Sequence, residues 1–439
     1  MSFFSKIFNN SEKSVDPEIQ FGRFTDSYKE DEKYQCWDKS IDNFENEKYL
    51  TSYAMFFDFL AIDGQNNVQY TQSQGKISFT IYQGSKIIYG DADFARFRAE
   101  ARIVKSPKPN LGLMRLLLEE NFGLKYTRYS IDEENCICLK FDTYVEDGSP
   151  HKIYQALKEL ATQADRKDDV LIHNFEELIP INFNHTRQIS IQEKKVKFDF
   201  FTSNVRKVLH EIDHGKLNTY LYPGGISYLL LDFLYKIDFL IKPEGTLMEV
   251  VRACNELYFT DNMTSVHDKN KEMIRKVRQL EKTSFDEFEK ELYEVNSTFG
   301  MSMPEGHQRL AEIIDAQMND FDWYYENKYF AYANGICGYV VGYSLYSYSL
   351  PEPSKDLLKL YYRITENQFF QALGFSDAFI SGDVFHKNKI KTAIASVITK
   401  NSGRYPGLKI NSKMLQYDDI SLFLKSFLMM IRHIEYPEE

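Results

Sequence analysis

The sequence predicts an α+β protein: an N-terminal antiparallel sheet flanked by helices, followed by a mainly α-helical domain. Three observations carry this. Residues 75–82 alternate, placing Ile77, Phe79 and Ile81 on one face, as a half-buried strand does. Residues 110–122 break the alternation, with Leu113, Met114, Leu117 and Leu118 on one helical face, and Gly123 ends the run. From Phe198 onward the apolar period is helical nearly throughout. A chain of 439 residues exceeds what one core usually holds. The expected division is a flexible leader at 1–33, the α+β domain at 34–180, a linker at 181–197 and the helical domain at 198–439.

The elements follow in order. Met1 to Phe8 has no long apolar region and no small-residue cleavage site, so neither a signal peptide nor an anchor is expected. Phe3, Phe4, Ile7 and Phe8 are costly to leave in water, which makes a docking peptide the alternative to a disordered leader. Leu50, Tyr53, Ala54, Phe57, Leu60 and Ala61 recur at helical spacing and predict a helix from Phe44 to Ile62. Strands are expected at Val68–Thr71, Lys76–Tyr82, Lys86–Tyr89 and Arg98–Val104, with Gln83-Gly84-Ser85 a turn. A hairpin joins Leu124–Ile131 to Cys136–Thr143 around Asp132-Glu133-Glu134-Asn135. Ser149 and Pro150 open a helix that should end near Ala164.

In the second half, Ile226–Ile241 is too short and too charged to span a bilayer and reads as a core helix. A capping box at Ser284 and Glu287 opens a helix carrying Phe285, Phe288, Leu292 and Val295. Thr365 and Gln368 begin one that Gly374 ends, and residues 420–431 form the last.

Composition excludes some functions. The net charge of −11 gives no electrostatic case for nucleic acid. Five scattered cysteines make no disulfide framework and point to a reducing, cytoplasmic setting. No phosphate-cradling loop is present, and no cofactor is expected.

The order helix, three-strand meander, helix, strand pair, helix resembles the type III secretion chaperone-like domain over residues 34–180. The Gln83-Gly84-Ser85 turn, the run from Leu111 to Asn121, the Tyr126–Ile131 strand and the closing helix through Ala161-Thr162-Gln163-Ala164-Asp165 carry the likeness. The resemblance implies a domain that holds an extended segment of a client protein, usually dimerises and has no active site. Its members are small single-domain proteins, and this chain continues well beyond that length.

Three stretches invite chemistry. His210-Glu211-Ile212-Asp213-His214 fits H-E-x-x-H, in which two histidines one helical turn apart hold zinc and the glutamate activates water. Glu256 is the candidate third ligand, which would make the chain a zinc metallopeptidase. Against this, Asp213 puts a charge beside the second histidine, and Gly215 suggests a helix end where two histidines meet the negative dipole. Lys387 to Lys413 holds seven basic residues and no acid; a solvated helix face balanced by acids such as Asp418 and Asp419 explains it. Gly338 and Gly342, four apart in Gly335–Tyr348, suit close helix packing. The reading that results is a non-enzymatic binding protein or adaptor, with Tyr82, Tyr89, Phe94 and Phe97 as the surface that meets a protein partner by strand addition.

Overall fold

A computed structural model of the chain describes residues 16–437, apart from 27, 109, 182–184 and 262. It shows an N-terminal antiparallel sheet of seven strands flanked by helices, followed by a mostly helical region. The leader residues Phe3, Phe4, Ile7 and Phe8 lie outside the described residues.

The first part opens with two helices where the sequence suggests one, α1 (Asp31–Glu45) and α2 (Tyr49–Leu60). Glu47 adopts φ +62°, which no helix interior tolerates, so the chain folds back and α1 packs on α2. The sheet contains β1 (Val68–Ser73), β2 (Lys76–Gln83), β3 (Lys86–Ala92) and β4 (Arg96–Lys105). After α3 (Leu111–Glu120) come β5 (Arg128–Ile131), β6 (Cys136–Tyr144), α4 (Pro150–Asn174) and the short β7 (Ile179–Pro180). Strand order is β1-β2-β3-β4-β6-β5, with β7 beside the end of β4. The expected hairpin is present; Asp132 Oδ1 accepts the amides of Glu134 and Cys136, which tightens its turn.

The parity expected for β2 is observed. Ile77, Phe79 and Ile81 join Ile88, Phe97, Leu139 and Phe141 on one face, against Tyr53, Phe57, Ile153 and Leu157 of α2 and α4. The other face carries cross-strand ion pairs, Arg98 with Asp91 at 2.9 Å and Lys140 with Glu100 at 3.0 Å. Three lengths differ from expectation. β5 starts at Arg128 rather than Leu124, because Glu159 takes the amides of Lys125, Tyr126 and Thr127 away from any ladder. Helix α4 runs ten residues past Ala164, since Asp165, Asp168 and Leu171 still have partners to bury against. Finally, the linker ends early: Ser190 caps α5 (Ile191–His214) through the amide of Glu193.

The helical part continues with α6 (Pro223–Ile241), α7 (Gly245–Phe259), α8 (Val266–Leu280) and α9 (Phe285–Phe288). Next are α10 (His307–Glu326), α11 (Phe330–Ser347), α12 (Glu352–Thr365) and α13 (Asn367–Ala372), then α14 (Lys387–Asn401) and α15 (Ile420–Arg432). The capping box of Ser284 and Glu287 is formed, but α9 lasts a single turn, and Tyr293–Glu294 instead pairs as a strand with Arg187–Gln188. Helix α6 is buried almost all round and crosses α11 at the two glycines. A Cβ on Gly338 would meet Asp232 Oδ1 at 2.0 Å, and one on Gly342 would meet Tyr235 Cβ at 2.5 Å, so tight packing is their role. Among the described residues no helix is long and apolar enough to cross a membrane.

A polar chain ties α10, α12 and the C-terminal segment: His307 Nδ1 lies 2.9 Å from Ser354 Oγ, which lies 2.7 Å from Tyr436 Oη. Burial pushes the His307 imidazole below its ordinary pKa, although the Arg432 carbonyl pulls the other way. The folded state therefore refuses a proton that the unfolded chain accepts near pH 6.5. This contribution to stability is full above pH 6.5 and is lost as pH falls through that value toward the lower folded pKa. Denaturation midpoints should fall more steeply between pH 7 and pH 5 in the wild type than in His307→Gln. Parallel profiles would remove the assignment.

The two parts share one boundary. The loop at 296–300 from the helical part enters the sheet: Phe299 is 1 % exposed and belongs to the core under β2. Gln83 Oε1 accepts the amides of Thr298 and Phe299, at 3.1 and 2.9 Å, and the Gly84 amide donates to Asn296 O at 3.0 Å. The described residues of 16–30, expected within a flexible leader, instead lie against both parts through Asp16, Phe21, Arg23 and Asp26.

Candidate partner-binding site

Helix α3 positions the most exposed apolar surface beside the sheet. Asn110 caps it through the Leu113 amide at 3.0 Å, and Leu113 and Leu117 anchor it on the core. Leu118, expected on that inner face, points outward and is 68 % exposed. With Leu111 at 88 % at the start of the helix and Phe122 at 96 % in the turn just after it, it gives three strongly exposed apolar side chains at spacings of seven and four residues. Beside it stand Tyr126 and Ile131, 37 % and 47 % exposed.

The sheet edge at this corner is β5, which has a partner strand on one side only. Asn121 Oδ1 accepts the outward amide of Tyr129 at 2.8 Å. The corner is held rigid from below. Glu159 accepts three successive amides at 2.8–2.9 Å and the Thr127 hydroxyl at 2.8 Å. Burial pushes the Glu159 carboxyl up, and the hydrogen bonds outweigh this, holding it below its usual range and charged. The opposite edge, β1, is exposed along most of its length but is mainly polar: Gln69, Thr71, Gln72 and Ser73.

Of the four aromatic residues expected at the partner surface, Phe97 does not reach the surface. Phe97 is fully buried between Tyr53 and Phe79, because it sits one residue out of step with the solvent-facing arginines of β4. This corrects the expectation. Tyr82 is half-buried on the outer face, its ring 5.2 Å from that of His185. Tyr89 is 49 % exposed on β3. Phe94 is 77 % exposed and lies over Gly75 in the β1–β2 turn, where Gly75 has φ +81° and no room for a Cβ. The surface at α3 and β5 was missed from sequence because Leu118 reads as part of the core-facing side of the helix. The spacing of Leu111, Leu118 and Phe122 as a second, separate face was the available signal.

His210 and His214 do share the last turn of α5, with ring centroids 5.0 Å apart, and both are exposed. No third ligand joins them among the described residues. Glu256 is paired with Arg252 on α7, and Asp213 with Arg278 at 2.5 Å. The Gly215 amide closes the helix on Glu211 O at 2.8 Å. The sole group of three metal-ligand side chains among the described residues is Glu100, Asp132 and Cys138 on the outer sheet face. There Lys140 and Arg102 hold the two carboxylates at 3.0 and 2.8 Å, and burial pushes the Cys138 thiol up. This donor set is already neutralised.

The basic stretch is balanced by other acids than Asp418 and Asp419. Lys400 pairs with Asp356 at 2.8 Å and Lys409 with Glu435 at 2.9 Å. Lys387 lies 4.9 Å over the Tyr417 ring, and Asp419 caps α15. Neither a known family model nor a curated protein sequence matches the chain.

Proposed function

We propose that the protein is a non-enzymatic binding protein, chaperone- or adaptor-like, that holds an extended segment of a partner protein at the α3–β5 corner. The observation that carries this is the exposure of Leu111, Leu118 and Phe122 on and just after a helix whose end Asn121 ties to an edge strand. Strand addition to β5 supplies backbone hydrogen bonds at about 1 kcal/mol net each, from the outward groups other than the Tyr129 amide, which Asn121 holds and an incoming strand must displace. Burying each large apolar side chain adds about 1.5–3 kcal/mol. The apolar term favours β5 over the longer but polar β1. The rigid loop under Glu159 lowers the ordering cost of binding. The resemblance to secretion chaperones supports the same reading, with a homodimer as the competing use of the surface. Five unbridged thiols support a cytoplasmic setting.

The test is panning of a displayed peptide library on the purified chain, with light scattering for self-association. Recovered peptides should alternate apolar residues. Leu118→Glu and Phe122→Glu should each weaken their binding at least tenfold without lowering the melting temperature. Failure to enrich any peptide, or equal affinity in the variants, refutes the reading. A concentration-dependent doubling of mass that both variants abolish would assign the corner to a second copy instead.

A further inference from the structure

Among the described residues of 17–30, which exclude 27, there is no helix or strand, yet Phe21, Gly22 and Arg23 are each seated against the helical part. Phe21 enters an aromatic cup, with centroids 5.1 Å from Phe370, 6.0 Å from Phe375 and 6.5 Å from Phe239. The Gly22 amide donates to Phe239 O at 2.8 Å. Gly22 has φ +74°, and a Cβ there would meet the Phe239 ring at 2.6 Å, so only glycine fits. Arg23 Nε donates to Asp238 Oδ1 at 2.8 Å and Nη2 to Pro243 O at 2.9 Å; Nη1 faces Glu244 at 3.9 Å.

The socket itself belongs to the helical part. Phe239 and Asp238 come from α6, Pro243 and Glu244 from the link to α7, and Phe370 and Phe375 from α13 and the turn after it. Both carboxylates are nearly buried, with side chains 5 % and 8 % exposed, and among the described residues their ion pairs are both made with Arg23. A vacated socket would leave two buried carboxyl groups facing an apolar cup, with Lys242 as a cation remaining near Glu244. It therefore demands a cation and an aromatic ring held one glycine apart.

We propose that this socket is a recognition site for an extended aromatic–Gly–Arg segment of a partner polypeptide, and that the chain's own Phe21-Gly22-Arg23 is its tethered occupant. The occupant shares one backbone hydrogen bond with the socket and otherwise only side chains, so an incoming segment of the same chemistry reproduces every contact. The tether gives the internal segment an effective concentration in the millimolar range, which sets the threshold a partner must exceed. Exchange has a structural consequence. Downstream of the socket, Asp26 binds the Gly300 amide at 3.0 Å and the Tyr154 hydroxyl, and Tyr28 Oη donates to Glu305 O at 2.7 Å. Displacement of the segment thus loosens the clasp between the sheet and the loop at 296–300. This site is distinct from the α3–β5 corner, and neither test bears on the other.

The experiment titrates a fluorescent peptide of residues 17–29 into the full chain. The Phe21→Ala/Arg23→Ala variant should bind it at least tenfold more tightly than the wild type, and a peptide with alanine for the arginine should lose that binding. Equal affinity for variant and wild type, or for both peptides, overturns the proposal. Hydrogen exchange on the wild type keeps the test open if the variant does not fold. Excess peptide should accelerate exchange of residues 19–26 while residues 229–240 stay protected. Unchanged exchange in 19–26 overturns it.

Discussion

Gly338→Ala is expected to destabilise the protein by about 1–2 kcal/mol net, the overpacking cost of about 1–3 kcal/mol less the roughly 1 kcal/mol that alanine gains over glycine in an isolated helix. The two effects have opposite signs, and the crossing of α6 and α11 decides which wins. The added methyl meets Asp232 Oδ1 at 2.0 Å and Cγ at 2.4 Å. Asp232 cannot simply swing away. It pairs with Lys236 at 3.4 Å, and Lys236 pairs with Glu366 at 3.0 Å, all with side chains under 20 % exposed. Burial pushes the Asp232 carboxyl up while Lys236 pulls it down, so moving it would leave the lysine less well compensated. Gly224→Ala is the control: it lies near the start of α6 with nothing within 4 Å of its Cβ, and should stay within about 0.5 kcal/mol of the wild type. Denaturant unfolding of both variants checks this; a stabilised Gly338→Ala would show that the helices have room to separate.

Lys86→Met should cost about 3–5 kcal/mol, the usual penalty for removing one partner of a buried ion pair. Lys86 is 2 % exposed, and its ammonium lies 2.7 Å from Asp168 Oδ2 and 3.1 Å from Ile103 O. The surroundings hold a second acid. Asp165 accepts the Ser85 amide at 2.8 Å, and burial pushes its carboxyl well above the ordinary range, with Glu244 and Asp168 adding to the rise. Lys86 is the cation that opposes this. Lys86→Met/Asp168→Leu should recover most of the loss, since a buried pair and a well-packed apolar pair of similar volume differ little in net stability. Unfolding of the single and double variants in parallel decides it. A double variant no more stable than the single one would show that Asp168 serves the Ser85 hydroxyl, 2.7 Å away, more than it serves the lysine.

Local pattern reached a good part of this fold. The parity of Ile77, Phe79 and Ile81, the caps at Ser149 and Ser284, and the stop at Gly374 (φ +98°) each follow from chemistry within a few residues. The misses lie where a partner is distant in sequence. Helix α4 outran its apolar pattern because Asp165 and Asp168 have work to do at the Ser85 turn, eighty residues upstream. The single helix expected over 44–62 broke at Glu47, whose positive φ no side-chain pattern announces.

The candidate sites divide the same way. His210 and His214 are brought to one helical turn by their spacing alone, but a third ligand would have to come from another element, and none among the described residues does. Leu118 and Leu117 are neighbours in sequence and identical in chemistry; one is 5 % exposed and the other 68 %.

By itself the sequence determined six of the sheet's seven strands, the direction their apolar faces point and the order α+β first, helices second. Those are set by periods of two and 3.6 residues and by capping groups, which act over one turn. Only the tertiary structure decided that Phe299 completes a core built from residues 50–178, more than 120 residues before it, and that Arg23 is seated between Asp238 and Glu244. Each depends on burial and charge pairing between segments far apart in the chain, and such pairings leave no periodic trace for a single sequence to display.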